Sequence, residues 1–184
     1  HFAGGDESVT QIAPRAFRNC TSVTKIDTSS ATSLEKIGAY ACYGCTQLAT
    51  ANLNNVKIIG KGAFSGSTSM SALETVTADK VTTIGEEAFK KTSPKAIDIG
   101  GLFLEENDIT SIGSSAFQNC LLDNQDIYLN DGIAKIQQYT FNAASNTTTF
   151  HINNTLLGRM KNEYDAYWTD ERVAAAAKQG LTPY

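Results

Sequence analysis

Val81-Thr-Thr-Ile84-Gly-Glu-Glu-Ala-Phe89 decides the fold, because close variants of this stretch occur six times in the 184-residue chain. Each copy contains an isoleucine that is followed five residues later by phenylalanine or, once, by cysteine. The repeat isoleucines, 25, 22, 25, 28 and 24 residues apart, are Ile12, Ile37, Ile59, Ile84, Ile112 and Ile136. A period of about 20 to 29 residues is typical of coils that stack into a solenoid. The sequence therefore predicts a stack of coils with a continuous core and a long outer surface.

The Ile-Gly-x-x-Ala-Phe segment of each copy predicts one helical turn per coil. Ile84, Ala88 and Phe89 lie at offsets 0, 4 and 5, which would place three apolar side chains on one side of such a turn. Gly85 is predicted to permit a tight or left-handed backbone. We expect the small alanine to let the turn approach the core and the phenylalanine to fill the space between coils.

Each turn is followed by a short segment in which β-branched or aromatic residues alternate with polar ones, as in Ile97-Asp-Ile99 and Ile127-Tyr-Leu129. This alternation predicts one half-buried strand per coil. Strands at the same place in successive coils would pair in parallel into a single sheet. On this register, an outward row of side chains contains Asp27, Asn54, Thr77, Asp98, Tyr128 and His151.

Residues 154–184 follow the last predicted strand and carry two helix-start signals, Thr155 and Thr169. The second helical pattern stops at Gly180. Two short helices at this place would cover the open end of the core. We therefore predict a solenoid over residues 1–153 and a C-terminal helical cap over residues 154–184.

The shared pattern, Val-x-x-Ile-Gly-x-x-Ala-Phe-x-x-Cys followed by x-x-Leu-x-x-Ile, resembles the BspA-like leucine-rich repeat family of surface and secreted proteins. The resemblance covers about residues 8 to 153. It implies an α/β fold, namely a right-handed leucine-rich repeat solenoid of about six coils with one strand and one helical turn each. It also implies an extracellular or cell-surface location and a non-enzymatic role in adhesion. The implied partner is a host or neighbouring-cell protein, extracellular-matrix proteins included.

Charge and hydropathy argue against a nucleic-acid partner and against a membrane-spanning segment. The net charge is −4 and the pI is near 5.1, whereas nucleic-acid binding requires clustered Lys and Arg. No apolar run approaches the roughly 20 residues that a membrane-spanning helix needs. We therefore expect neither a nucleic-acid partner nor a membrane span in this chain. Because the chain begins at His1, we also expect a mature product or a fragment.

Cys42-Tyr-Gly-Cys45 has the spacing of a redox pair or of half a zinc site. Repeat register offers a simpler explanation, because Cys20, Cys45 and Cys120 all lie eight residues after a repeat isoleucine and Cys42 stands in a phenylalanine position. We predict structural thiols, with no metal and no cofactor. A disulfide between Cys20 and Cys45 remains open for an extracellular protein. With only two histidines in the chain, we also predict no catalytic residues and no enzymatic activity.

Asp98, Tyr128 and His151 are the predicted contact residues of the outward row, because they combine a charge with aromatic groups. Phe103 is a further candidate, in an insertion where it either packs on the stack or lies in an exposed apolar patch. Two alternatives to protein recognition remain: a structural spacer or surface-layer segment of a longer protein, and a glycan-binding module. Solvent exposure of Tyr128 and Phe103 would favour recognition over the spacer.

Overall fold

The computed structural model describes residues 9–66, 73, 75–92, 96–99, 108–120, 122, 126–134, 139–141, 149–156, 158 and 181–183. Short parallel strands dominate this part of the chain. The strands are β1 (Gln11–Ile12), β2 (Lys25–Asp27), β3 (Lys36–Ile37), β4 (Thr50–Asn52), β5 (Ile58–Ile59), β6 (Thr75–Ala78), β7 (Thr83–Ile84), β8 (Ala96–Ile99), β9 (Ser111–Ile112), β10 (Asp126–Leu129), β11 (Thr149–Ile152) and β12 (Leu181–Pro183). The chain is thus a parallel β-solenoid, and each of its first five coils contributes two strands where the sequence predicted one.

The repeat isoleucines lie in one parallel sheet with the strand order β1-β3-β5-β7-β9. Its register pairs isoleucine with isoleucine, in the series Ile12, Ile37, Ile59, Ile84 and Ile112. All five side chains are buried, with at most 4% of their surface exposed. The predicted stacking of equivalent isoleucines is confirmed for these five copies. Ile136 lies outside the described residues.

The second strands of the coils form two further parallel sheets in the described part of the chain, ordered β2-β4-β6-β8 and β10-β11-β12. Ile26, Ala51 and Val76 pair with one another and are buried, so the predicted inward row is present. The outward neighbour of Asp27 is Asn52 rather than Asn54, because β4 ends at Asn52.

β12 is a strand that the sequence did not predict. Leu181–Pro183 pairs in parallel with β11, and it is the last strand in the order of its sheet. Proline has no N–H to donate to a further strand, so Pro183 suits this terminal position.

The segment after each of the five described repeat isoleucines is not helical, which corrects the prediction of one helical turn per coil. We call residues 13–20, 38–45, 60–66, 85–92 and 113–120 together the turn ribbon. In its first copy, Ala16 N–H and Arg18 N–H donate to the carbonyls of Ala13 and Arg15 at 3.2 and 3.1 Å, three residues back. Arg15 itself has a left-handed backbone, with φ +61°, as do Tyr40, Gly62, Glu87 and Ser115 at the same offset. A left-handed residue at this offset is incompatible with a continuous right-handed helix.

Backbone hydrogen bonds between coils account for the non-helical conformation of the turn ribbon. Three N–H groups of the ribbon donate to the next coil at each of the first four junctions. At the fourth junction, Glu87, Phe89 and Lys91 donate to the carbonyls of the next coil at 2.9, 2.8 and 2.9 Å. A helix would direct these N–H groups along its own axis and leave the neighbouring coil unpaired. The ribbon's N–H groups donate alternately to carbonyls of their own coil and to carbonyls of the next coil, and only a series of turns allows both sets of hydrogen bonds.

Glycine directly follows four of the repeat isoleucines, at Gly38, Gly60, Gly85 and Gly113, and it is required there for close approach, not for a left-handed backbone. A Cβ atom on Gly85 would lie 2.6 Å from the carbonyl carbon of Gly60 and 2.6 Å from the nitrogen of Lys61, both in the preceding coil. Positive φ among the described glycines occurs at Gly44 and Gly62 instead. The absence of a side chain therefore sets the distance between coils.

A column of phenylalanine rings runs through the core. Phe64, Phe89 and Phe117 are fully buried, with successive centroids 5.5 Å apart, and Phe141 continues the stack at 5.3 Å. The rings are parallel to within 9°. The prediction that phenylalanine fills the space between coils is confirmed here, and Cys42 takes the equivalent buried place in the second coil.

The predicted helical cap falls almost entirely outside the described residues. Residues 154–156 and 158 are helical, and Leu156 is buried in the core cluster. The boundary between residues 153 and 154 and the right-handed winding remain predictions. In the described part of the chain, no helix has the length and apolarity that crossing a membrane would take.

Candidate functional site

Tyr128 and His151 lie side by side on the outer surface of β10 and β11. Strand alternation fixes this, because Ile127 and Leu129 point into the core with 0 and 2% of their surface exposed. Tyr128 pairs directly with His151 in the parallel register. Their rings stack with centroids 4.4 Å apart and planes within 9°. The sequence prediction that these two residues share an outward row agrees with this register.

Asp126 completes the group. Its Oδ1 lies 3.3 Å from Nε2 of His151, and the two side chains are 59% and 23% exposed. The contact is an ion pair when the imidazole is protonated and a hydrogen bond when a neutral imidazole carries its proton on Nε2. We call Asp126, Tyr128 and His151 the Tyr128–His151 face. Its aromatic surface is held in place from one side by a carboxylate.

The other two predicted contact residues are placed only in part. Asp98 lies in β8 opposite Thr77, and its side chain is outside what the structure describes. Phe103 lies wholly outside the described residues. β8 and β10 belong to different sheets, so the described hydrogen bonds do not continue the row from Asp98 to Tyr128.

The cysteines line the junctions between coils. All four are free thiols, and Cys42, Cys45 and Cys120 are fully buried. Cys45 Sγ donates to the carbonyl of Phe17 in the preceding coil at 3.0 Å. A hydrogen bond to Cys45, together with burial, raises the pKa of Cys42. These contacts are consistent with structural thiols.

Cys120 occupies the same register position as Cys45. Its Sγ lies 3.2 Å from Oγ1 of Thr92, and burial raises the pKa of this thiol to about 12. A thiol with so high a pKa is a poor nucleophile at neutral pH. Within the described ranges, no three His, Cys, Asp or Glu side chains converge as ligands for a metal ion.

A second surface group was missed by the sequence analysis. The guanidinium of Arg15 lies 5.9 Å from the ring centroid of Tyr40, and that of Arg18 lies 5.4 Å from the ring centroid of Tyr43. The two tyrosine rings meet edge to face at 6.0 Å. We call these four residues the Arg–Tyr cluster. Repeat register was the available signal, because Arg15 and Tyr40 both lie three residues after a repeat isoleucine, and Arg18 and Tyr43 both lie six after it.

Comparison with known proteins agrees with the repeat pattern. The family model of the BspA type leucine rich repeat region matches six copies, over residues 5–105 and 102–163. No curated protein and no solved structure matches the chain. The family match spans most of the sequence and coincides with the copies that build the stacked coils, and the chain accordingly belongs to the BspA-type leucine-rich repeat family.

Proposed function

We propose that the protein is a non-enzymatic recognition module that works outside the cell or at a cell surface. The family is generally a repeat scaffold for protein–protein interaction. The architecture supports this role, because equivalent residues of successive coils form long rows on the outer surface rather than one deep pocket. Adhesion to a host or neighbouring-cell protein is the corresponding biological role.

The observation that carries the proposal is the Tyr128–His151 stack on the outside of β10 and β11. Aromatic side chains are enriched at protein interfaces because they bury a large area at a small cost in side-chain entropy. Asp126 fixes His151, so part of that entropy is already lost before a partner binds. Asp98 and Phe103 are proposed as further contacts of the same surface.

Substitution of the stacked pair tests this surface. Immobilised extracellular-matrix proteins and intact host cells would be screened for saturable binding of the wild-type chain. The Tyr128→Ala, His151→Ala double variant is then expected to lose at least about tenfold in affinity for any partner found. Tyr139→Ala is a matched control, because Tyr139 is an aromatic side chain 42% exposed elsewhere on the surface. Equal affinities for the wild type and the double variant would refute the proposed face.

A structural spacer is the second candidate, and the sheet that contains β2, β4 and β6 favours it. The outward row there consists of the small polar side chains Asp27, Asn52 and Thr77, with no aromatic group. If the module binds neither protein nor cell in the screen, and a glycan array also gives no binding, the spacer becomes the better explanation. Glycan binding that depends on Tyr128 would instead assign the face to a sugar.

A further inference from the structure

The Arg–Tyr cluster is assembled by the coil stack itself. Arg15 and Arg18 lie on the first described coil, and Tyr40 and Tyr43 lie at the same offsets on the second. Stacking of equivalent positions therefore brings each guanidinium over one ring. Both distances are within the roughly 6 Å at which a cation is attracted to an aromatic face.

The third coil holds Tyr40 in place. A Cβ atom on Gly62 would lie 2.6 Å from Cδ1 and Cε1 of Tyr40, so the ring rests where only glycine leaves room. Tyr40 is thus packed between the backbone of Gly62 on one side and Arg15 on the other. Tyr40 is therefore fixed before any partner binds, which lowers the entropic cost of binding at this ring.

The charges of the two arginines are not neutralised by the described residues. The lysines Lys25, Lys57, Lys61 and Lys90 are paired with the carboxylates of Asp27, Glu35, Glu86 and Glu87. None of the ion pairs in the described part of the chain includes Arg15 or Arg18. Both arginine residues are exposed at the surface, and stacking on a ring leaves the N–H groups at the edge of a guanidinium able to donate to a carboxylate.

Spacing and charge indicate which anion fits. The two tyrosine rings that support the guanidiniums are 6.0 Å apart. Alternate residues of an extended chain are about 6.6 Å apart, so two acidic side chains at alternate positions have nearly the spacing of the two rings that carry the guanidiniums. The net charge of −4 repels a long polyanion from the rest of the protein and restricts contact to a short acidic motif.

We propose that the Arg–Tyr cluster is a docking site for a short, extended acidic segment of a partner protein, with one carboxylate on Arg15 and another on Arg18. Tyr40 and Tyr43 hold the guanidiniums and contribute apolar surface. This site is separate from the Tyr128–His151 face, and its test does not depend on the outcome for that face.

Fluorescence anisotropy with two labelled hexapeptides tests the site. One peptide carries glutamate at alternate positions with serine between them, and the other carries glutamine in place of glutamate. The wild type is expected to bind the glutamate peptide saturably and the glutamine peptide at least about tenfold more weakly. Absence of saturable binding of the glutamate peptide would overturn the proposal.

Two double variants separate a fitted site from simple charge attraction. Arg15→Gln, Arg18→Gln is expected to weaken binding of the glutamate peptide at least about tenfold. Arg15→Lys, Arg18→Lys keeps the charge but loses the planar fork, and it is expected to weaken binding about fivefold. Wild-type affinity in the lysine variant would overturn the proposed geometry. Thermal melting of each variant shows that the coils remain folded.

Lys36→Gln, Lys91→Gln is the matched control, because both lysines are exposed and the same two charges are removed. Its affinity for the glutamate peptide is expected to stay within about twofold of the wild type, since long-range attraction is weak at 0.15 M salt. A loss equal to that of the arginine variant would refute the site. A sulfated heparin fragment that binds more tightly than the peptide, and needs both arginines, would assign the cluster to a glycan and overturn the peptide proposal.

Discussion

Substituting Gly85 by alanine would separate two coils that now touch through their backbones. The new methyl group would lie 2.6 Å from the nitrogen of Lys61 and 2.9 Å from the carbonyl oxygen of Ile59. Ordinary contacts of a Cβ atom begin near 3.4 Å. The groups in the way are main-chain atoms of the preceding coil, so no side-chain rotation can relieve the clash.

The expected cost follows from what must move. Overpacking at a rigid position costs about 1–3 kcal/mol. Gly85 N–H donates to the Ile59 carbonyl at 2.8 Å, and Gly62 N–H donates to the Glu86 carbonyl at 2.8 Å, so both bonds between coils weaken as the coils part. At about 1 kcal/mol for each bond, the total loss is about 3–5 kcal/mol. The entropic gain from replacing glycine is only about 0.4–1 kcal/mol and does not offset it.

Urea unfolding followed by far-UV circular dichroism measures this loss in the free energy of unfolding. Gly158→Ala is the control, because a Cβ atom on Gly158 meets no atom within 4 Å. That variant is expected to match the wild type or to exceed it slightly. If Gly85→Ala is as stable as Gly158→Ala, the claim that glycine sets the distance between coils is wrong.

Four further outcomes follow from the packing and charge of single residues. Phe89→Ala, which removes a ring from the middle of the column, is expected to cost about 3–5 kcal/mol in the free energy of unfolding measured in urea. Ser115→Gly relieves a left-handed residue with φ +56° and is expected to leave the melting temperature unchanged or higher, whereas Ser114→Gly next to it lowers that temperature. In timed alkylation with iodoacetamide, Cys20 is expected to react before the three fully buried thiols, and simultaneous labelling would contradict the buried thiol positions. Hydrogen bonds from Lys25 and Ser29 lower the pKa of Asp27 from 3.8 to about 2. The stability that this carboxylate adds is less than about 1 kcal/mol at a half-buried site; it is complete above pH 3.8 and is lost as the pH falls to 2. Titration of Asp27 near pH 3.8 in an NMR experiment would contradict this.

The core could be predicted from the sequence, whereas the path of the backbone around it could not. Ile84 and Phe89 recur at fixed positions, and burial of those side chains follows from the repeat alone. The spacing of Ile84 and Ala88 also fits a helical turn, and local sequence gives no reason to reject one. Hydrogen bonds to the neighbouring coil decide against the helix, and these depend on residues more than 20 positions away.

The left-handed backbone of residues in the turn ribbon could not be predicted from the sequence for a related reason. Glycine marks such a backbone at Gly62, but Arg15, Tyr40 and Glu87 adopt it in other coils with no signal in their identity. Each costs conformational energy that the bonds between coils offset. A repeat alignment would have indicated the shared position, because the third copy carries glycine where the other copies carry residues with side chains.

The candidate surfaces differ in how far sequence reasoning reaches them. Tyr128 and His151 were predictable because both lie in strands whose alternation is plain in the sequence. The Arg–Tyr cluster required a further step, in which residues of two copies are compared at the same offset.

Residues at the same offset in adjacent copies lie next to each other in the stack. Complementary residues at equal offsets are therefore brought into contact. Glu87 and Lys90 occupy the offsets of Tyr40 and Tyr43 two coils further on, where they pair with each other instead. The same offsets of the repeat thus carry a cation–aromatic cluster in the first two described coils and a neutral ion pair in the fourth, so the identity of the residues at these offsets decides which surface a coil presents.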